Sequence, residues 1–172
     1  MKYYIADTHF NHHNILEYEN RPFNSVTEMD EELIRRWNSR VKDNDEVYIL
    51  GDFCFDNSGK YANEILDKLN GKKYLIKGNH DSFLNNKNFD HSKFEWIKDY
   101  AEIKDDELRV ILFHYPIASW NAKIYGTIHL YGHIHSHKLE EAVLINAYNV
   151  GADVQDFYPL TLKEILKKNG QL

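Results

Sequence analysis

Three short apolar runs in the first half of the chain each end in polar residues. They cover residues 2–6, 46–50 and 73–77, with the sequences KYYIA, EVYIL and KYLIK. The polar residues at their ends are Asp7, Gly51-Asp52 and Gly78-Asn79. Short runs rich in Tyr, Ile and Val that are bounded by such residues predict buried β-strands. The polar side chains therefore lie where each predicted strand ends.

Two amphipathic helices are predicted between these strands. Residues 25–41 carry apolar side chains at helical spacing, and Ser25 with Glu28 forms a candidate capping box at the start. Residues 61–71 repeat the pattern, and Gly71 is placed to end the second helix. The resulting βαβαβ order predicts parallel strands with right-handed crossovers. In such sheets, ligands collect at the carboxyl ends of the strands.

After about residue 95 the pattern becomes mostly that of strands. The segments WIKDYAEIK and ELRVILFH flank Asp105-Asp106 like a hairpin, and the runs TIHLYGHIH and AVLINAYNV follow. Thr161 and Glu164 form another candidate capping box, for a closing helix. We expect an α/β fold of two packed sheets flanked by helices, with residues 1–172 forming one domain.

Composition and charge narrow the class of protein. The chain is 42% hydrophobic and 28% charged, as globular proteins are, and its formal net charge of −6 argues against an extended surface for nucleic acid. The single cysteine, Cys54, leaves no intrachain disulfide, and no signal-like segment is present. No apolar run approaches the ~20 residues that span a bilayer. We therefore expect a cytoplasmic protein that does not insert into membranes.

Five segments place metal-binding residue types at the ends of predicted strands. They are DTH with Asp7 and His9, GD with Asp52, GNHD with Asn79 and His80, FHYP with His114, and GHIH with His133 and His135. Each segment alone occurs by chance in many proteins. Side chains at positions i and i+2 of an extended segment point to the same side, so His9 can join Asp7 at one site, and His135 can join His133.

Taken in order, the motifs D-x-H, G-D, G-N-H-D, H and G-H-x-H resemble those of the calcineurin-like metallophosphoesterases. The similarity covers residues 7–135 and extends to details of small bacterial single-domain members, in DTHFNHHNI, RPF, LIRRWN and the late NVGAD. It implies the fold of that family, a four-layer αββα sandwich of two mixed β-sheets flanked by helices. This fold agrees with the order of elements predicted from the apolar pattern.

The resemblance also implies a centre of two divalent metal ions. One ion would be held by Asp7, His9 and His135, the other by Asn79, His114 and His133, and Asp52 would bridge the two. Carboxylate, imidazole and amide ligands without thiolate suit Mn²⁺, Fe or Zn²⁺. Mn²⁺ is the favoured metal, with Fe, Zn²⁺ and Ni²⁺ as alternatives.

The implied chemistry is attack on phosphorus by a hydroxide that bridges the two ions. His80 matches the family histidine that contacts the phosphate or protonates the leaving oxygen, and Asp81 would orient its ring. Asn79 lies beside His80 and is expected to contact the same phosphate. His12 is a further candidate for substrate contact. Arg21 either pairs with a phosphate oxygen or braces its loop through a carboxylate.

The sequence thus predicts a dinuclear metal-dependent phosphoesterase acting on a small, accessible phosphoester. A phosphodiester is favoured, and nucleotide diesters are among the candidates. The alternatives are a phosphomonoesterase, a nuclease subunit that needs a basic partner, and a non-catalytic scaffold. The oligomeric state is left open. Three loops are expected to rim the site, at residues 10–24, 54–60 and 116–126.

Overall fold

Two four-stranded sheets form the framework of the computed structural model, which describes residues 1–138 and 145–171. The first sheet consists of β1 (Lys2–Ile5), β2 (Glu46–Leu50), β3 (Lys72–Ile76) and β4 (Trp96–Lys98), in that spatial order. These four strands are parallel. An isolated antiparallel bridge joins Tyr4 to Leu160 at the free edge of β1. The predicted parallel first half is confirmed.

The second sheet is mixed, as the resemblance implied for both sheets, whereas the named strands of the first sheet are all parallel. It consists of β5 (Tyr100–Asp105), β6 (Leu108–Phe113), β7 (Ile128–Tyr131) and β8 (Ala147–Asn149), in that spatial order. The strands β5 and β6 form the expected antiparallel hairpin, and the other pairs are parallel. The run WIKDYAEIK is split between the sheets, because β4 pairs with β3. Strand β8 covers the end of the run AVLINAYNV, whose residues 142–144 lie outside the described residues.

Four α-helices connect and flank the sheets in the described part of the chain. They are α1 (Ile15–Tyr18), α2 (Val26–Arg40), α3 (Lys60–Lys68) and α4 (Leu162–Lys168). Ser25 caps α2 by accepting a hydrogen bond from the Glu28 N–H, and Thr161 with Glu164 forms the complete capping box predicted for α4. None of these helices combines the length and the apolar character that a membrane crossing requires.

Buried apolar side chains form the layers of the fold. One cluster packs α2 and α3 against the outer face of the first sheet. It includes Leu33 and Trp37 of α2 and Ile49 of β2. A second cluster fills the space between the sheets and takes in the apolar side of α4. A smaller cluster around Trp120 covers the outer face of the second sheet. The α/β sandwich predicted from the sequence is confirmed.

The two sheets are joined where β1 ends. The Ala6 N–H donates to the Val150 carbonyl, and the Ala152 N–H donates to the Ala6 carbonyl, both at 2.8 Å. This parallel bridge brings the segment after β8 beside the end of β1. The carboxyl ends of strands from both sheets therefore open onto one shared edge.

Truncation of Leu33 to alanine is expected to destabilise the protein strongly. Leu33 is 2% exposed and lies in the cluster between α2 and the first sheet. Loss of its side chain removes buried contacts and leaves a cavity, so the free energy of unfolding should fall by about 2–5 kcal/mol. Urea denaturation measures the change. Glu31→Ala, at an exposed position of the same helix, is the control, and equal effects of the two substitutions would contradict the assigned packing.

The buried carboxylate of Asp30 should make stability depend on pH. Burial raises the pKa of Asp30 to about 6, against the opposing hydrogen bonds from the Tyr61 hydroxyl and the Asn11 N–H. Between pH 4 and pH 6 the folded state then binds more protons than the unfolded state. Stability from this group therefore falls as the pH rises, by on the order of 3 kcal/mol in all.

Denaturation of the wild type and Asp30→Asn at pH 4 and pH 7 measures this contribution. The variant should lose less stability than the wild type when the pH is raised. Asp43→Asn, which makes the same change at an exposed position, should behave as the wild type does. Parallel pH profiles for the wild type and Asp30→Asn would show that the assigned direction is wrong.

Candidate metal centre

The side chains predicted to bind metal follow five strands and converge at the shared edge of the sheets. Asp7 and His9 follow β1, Asp52 follows β2, Asn79 follows β3, His114 follows β6, and His133 and His135 follow β7. Five of them have backbone φ angles between 48° and 71°, namely Asp7, His9, Asp52, His133 and His135. This left-handed conformation is strained for residues with a side chain. The chain thus turns sharply after β1, β2 and β7 and directs these five side chains inward.

The structure brings six of these side chains together in two groups. Asp7, His9 and His135 form one group, and Asp52, His114 and His133 form the other. Within each group the potential ligand atoms lie within 4.8 Å of one another. The family resemblance implied this division, whereas the i, i+2 spacing alone grouped His133 with His135. The role of these residues as ligands stays a prediction.

Asp52 belongs to the second group and also lies close to the first. Its Oδ2 atom is 3.6 Å from His9 Nε2 in the first group and 3.6 Å from His114 Nε2 in the second. Its Oδ1 atom accepts the backbone N–H of His80 at 2.8 Å. One oxygen is therefore held by the chain while the other faces both groups, as a bridging carboxylate requires.

Two glycines allow this close approach of strand ends. A Cβ atom on Gly78 would lie 2.2 Å from Asp52 Oδ1, and one on Gly132 would lie 2.6 Å from Asp7 Oδ2. Contacts this short would displace a carboxylate of the centre. These glycines are therefore required because neighbouring backbones pack against the ligands, a reason that the sequence alone did not separate from an ordinary turn.

The first group places a carboxyl group and imidazole rings in a buried setting. Asp7 is fully buried, and this burial raises its pKa to about 8, although the nearby His135 acts in the opposite direction. His9 is 2% exposed, neither ring nitrogen has a hydrogen-bond partner, and burial holds its pKa well below the ordinary value. A buried carboxylate beside a neutral, unpartnered imidazole is a donor set that fits a divalent cation.

The second group shows the same fit. His114 Nδ1 donates to the Leu50 carbonyl at 2.7 Å, which leaves Nε2 with its lone pair. This nitrogen faces Asn79 Oδ1 at 3.1 Å. Two acceptor atoms this close together can both bind one cation that lies beside them. Asn79 therefore lies where it can join His114, as the sequence predicted.

Two charged side chains, Asp153 and Arg21, fix the orientation of the His135 ring through hydrogen bonds. Its Nδ1 atom donates to Asp153 Oδ2 at 2.8 Å, and Arg21 binds the same carboxylate with two hydrogen bonds of 2.8 and 3.0 Å. Burial lowers the pKa of His135, but the Asp153 hydrogen bond and the Asp7 charge outweigh it, so the pKa is raised overall. A carboxylate behind a ligand histidine fixes the ring and leaves Nε2 free to bind metal.

The position of Arg21 corrects its expected contact with substrate. Its side chain is buried, and its remaining donors bind the Asp7 and Thr8 carbonyls at 2.7 and 2.8 Å. Of the two readings left open by the sequence, bracing of the loop through a carboxylate is the correct one. Arg21 is thereby fully engaged with the protein and links the loop after β1 to Asp153.

Asp81 also has a role different from the one expected. Its carboxylate accepts the backbone N–H groups of Gly78, Asp52 and Phe53 at 2.7, 3.0 and 2.8 Å. It therefore ties the end of β3 to the end of β2, and does not orient the ring of His80. Burial raises the pKa of Asp81 to about 7, while these three N–H groups act to lower it.

The two remaining predicted substrate residues lie at the open side of the centre. His80 is exposed, and its ring centroid is 5.7 Å from that of His9. His12 is half-buried and stacks on Phe55 at 4.1 Å with an interplanar angle of 13°. Phe55 also lies 5.7 Å from the His80 ring. Both histidines thus border the space next to the two groups, and their contact with substrate stays a prediction.

Sequence reasoning missed two carboxylates beside the centre. Asp153 belongs to the NVGAD segment, which was noted for its resemblance but given no role. Glu19 approaches Asp153 and His135 closely enough to form a third cluster of possible ligand atoms, and it accepts a hydrogen bond from the Ser136 hydroxyl at 3.0 Å. The presence of both RPF and NVGAD is the signal that could have identified Asp153. RPF contains the cation Arg21, and NVGAD contains the anion Asp153 that binds it.

Comparison with known proteins agrees with this geometry. A family model described as the calcineurin-like phosphoesterase superfamily domain matches residues 2–157. The uncharacterized protein MJ1445 of Methanocaldococcus jannaschii is 39% identical over 170 residues, covering 96% of this chain and 89% of the relative. The Gene 66 protein of Mycobacterium phage L5 is 29% identical over 164 residues, covering 78% and 77%.

The fold has a solved counterpart of similar length. The crystal structure of AQ665, a protein of unknown function from Aquifex aeolicus, has a TM-score of 0.73 and 27% sequence identity to this chain. The similarity covers 98% of each chain. The layered architecture is therefore shared over essentially the full length of both proteins.

Replacement of Asp153 by asparagine should weaken metal binding. The change removes the charge that orients His135 and that Arg21 binds, so we expect the affinity for Mn²⁺ to fall about 10–100-fold. Isothermal titration calorimetry on metal-stripped protein measures this affinity. Asp156→Asn makes the same change at a nearby exposed position and should leave the affinity unaltered. Equal Mn²⁺ affinity in Asp153→Asn and wild type would contradict the assigned role.

Proposed function

The chain belongs to the calcineurin-like phosphoesterase superfamily, and on that premise we propose that it hydrolyses a small phosphoester with the aid of two divalent metal ions. The observation that carries the proposal is the position of Asp52. One of its oxygens lies 3.6 Å from a histidine of each group, so two ligand sets share one carboxylate. This arrangement suits two ions that act together on one phosphate.

We propose Mn²⁺ as the metal, one of several that the donor set suits. Carboxylate, imidazole and amide groups make up the donor set, and thiolate is absent from it. Fe, Zn²⁺ and Ni²⁺ are the alternatives. When bound, the pair of ions would polarise the phosphate and generate a nucleophile from water at neutral pH.

The protein's own residues orient the histidines that would bind metal, and they include a candidate for proton transfer. Asp153 and the Leu50 carbonyl fix the rings of His135 and His114, so that both present a lone pair to the centre. The backbone of His80 is fixed by its hydrogen bond to Asp52, and its ring stays exposed at the entrance. We propose that His80 binds the phosphate or protonates the leaving oxygen from there.

A phosphodiester is the substrate class that we propose. The entrance carries aromatic side chains on two sides, with Phe55 beside His12 and His80, and Tyr115 against His133 at 4.6 Å. Phe55 and Tyr115 are 43% and 36% exposed. A diester bears a substituent on each side of phosphorus, and such side chains offer apolar contact to both. The net charge of −6 supports a small substrate in preference to a long nucleic acid.

Hydrolysis of bis(p-nitrophenyl) phosphate by metal-stripped protein reloaded with Mn²⁺ tests the proposal. We expect release of nitrophenol and little turnover of p-nitrophenyl phosphate. Asp52→Asn should lower the activity about a hundredfold or more. Loss of a ligand shared by both ions should cost more than loss of a residue, such as Asp153, that only orients a ligand. Asp43→Asn, changed at an exposed position, should retain the activity.

Two results would count against the proposal. Activity that persists in Asp52→Asn purified in the same way would indicate a contaminant. Protein that binds two equivalents of Mn²⁺ yet hydrolyses neither substrate, with Ni²⁺ and Zn²⁺ also tested, would favour a non-catalytic role.

A further inference from the structure

Tyr115 places a hydroxyl group beside the second group of predicted ligands. It follows His114 in the chain and is 36% exposed. Its ring lies edge to face with His133 at 4.6 Å and with His114 at 4.8 Å between centroids. Its hydroxyl oxygen is 3.4 Å from Asn79 Oδ1. The phenol thus contacts the three side chains that are expected, together with Asp52, to hold the second ion.

The backbone around Tyr115 is held in place. The Gly132 N–H donates to the His114 carbonyl at 2.9 Å, and the Tyr115 carbonyl lies 3.2 Å from Nε2 of the buried His129. Pro116 follows, and a residue before proline is restricted to extended conformations. Because its ring also packs against two histidines, the hydroxyl has a defined position, as a group that binds substrate needs.

The contact between this hydroxyl and Asn79 is a weak one. Hydroxyl groups usually donate to oxygen over about 2.7–2.8 Å, and the separation of 3.4 Å is well beyond that. The same amide oxygen lies 3.1 Å from His114 Nε2 and is the atom expected to bind metal. A bound cation would draw electron density from this oxygen and weaken it as an acceptor. The hydroxyl proton is therefore available to another acceptor beside the centre.

We propose that the Tyr115 hydroxyl donates a hydrogen bond to a non-bridging oxygen of the substrate phosphate, an inference that rests on the proposed phosphoester hydrolysis. That oxygen carries negative charge, so the bond is stronger than one to a neutral amide. Tyr115 lies against the second group, whereas the ring of His80 lies near His9 of the first. The two residues therefore bind different oxygens of one phosphate.

Titration of inorganic phosphate into the 172-residue chain saturated with Mn²⁺ tests the contact. Tyr115→Phe removes the hydroxyl and keeps the ring. Its affinity for phosphate should fall about ten- to a hundredfold, which is the effect of losing a hydrogen bond to a charged group. Tyr158→Phe makes the same change beside the Arg36 guanidinium of α2 and should bind phosphate as the wild type does. Thermal unfolding should show that both variants are folded.

The affinity for Mn²⁺ separates contact with substrate from a role in arranging the ligands. Calorimetry on metal-stripped protein should give the same Mn²⁺ affinity for Tyr115→Phe and the wild type, because the ring that packs against His114 and His133 is kept. Weaker Mn²⁺ binding by the variant would overturn the proposal, since the hydroxyl would then act through Asn79. Equal phosphate affinity in the variant and the wild type would also overturn it, as would a wild type that binds no phosphate at millimolar concentration.

Kinetics with bis(p-nitrophenyl) phosphate show at which stage the bond forms. A bond made equally to the bound substrate and to the transition state should make KM rise in Tyr115→Phe and leave kcat nearly unchanged. A loss of kcat with KM unchanged would contradict contact with the bound phosphate. Because phosphate binding is measured without turnover, a protein that binds phosphate and hydrolyses neither nitrophenyl ester would refute the proposed hydrolysis and leave the Tyr115 contact testable.

Discussion

Two carboxylates buried at the shared edge of the sheets are the constraint on which the rest of this structure depends. Asp7 is fully buried and Asp52 is 2% exposed, and both lie among histidines. Charged groups in such a place must be compensated by hydrogen bonds and by cations. The backbone N–H of His133 binds the Asp7 carboxylate, and that of His80 binds Asp52. Two divalent ions would complete the compensation.

This constraint explains the strained backbone around the centre. Five of the predicted ligands adopt positive φ angles, which cost free energy for residues with side chains. The surrounding hydrogen bonds hold these turns in place. Asp81 ties the ends of β2 and β3 through three backbone N–H groups, and Arg21 ties the loop after β1 to Asp153. Charged residues that resemble catalytic groups in sequence therefore serve to fix the ligand loops.

Gln155 contrasts with these groups. Around the metal centre, the buried side chains of Arg21, Asp81 and Asp153 bind backbone groups or one another. The amide of Gln155 is equally buried and is unpaired. Such an amide loses on folding the hydrogen bonds that water supplies in the unfolded chain, so it reduces stability.

The sequence by itself determined the order of strands and helices and the residues that gather at the strand ends. Those signals are local, since a short apolar run, a cap such as Thr161 or a motif such as GNHD is contained within a few positions. Tertiary structure decided what Arg21 and Asp81 do. Arg21 meets Asp153 across 132 positions of the chain, and Asp81 meets Phe53 across 28. The role of a buried charge or amide depends on which partners the fold brings within hydrogen-bond distance, and no local pattern encodes them.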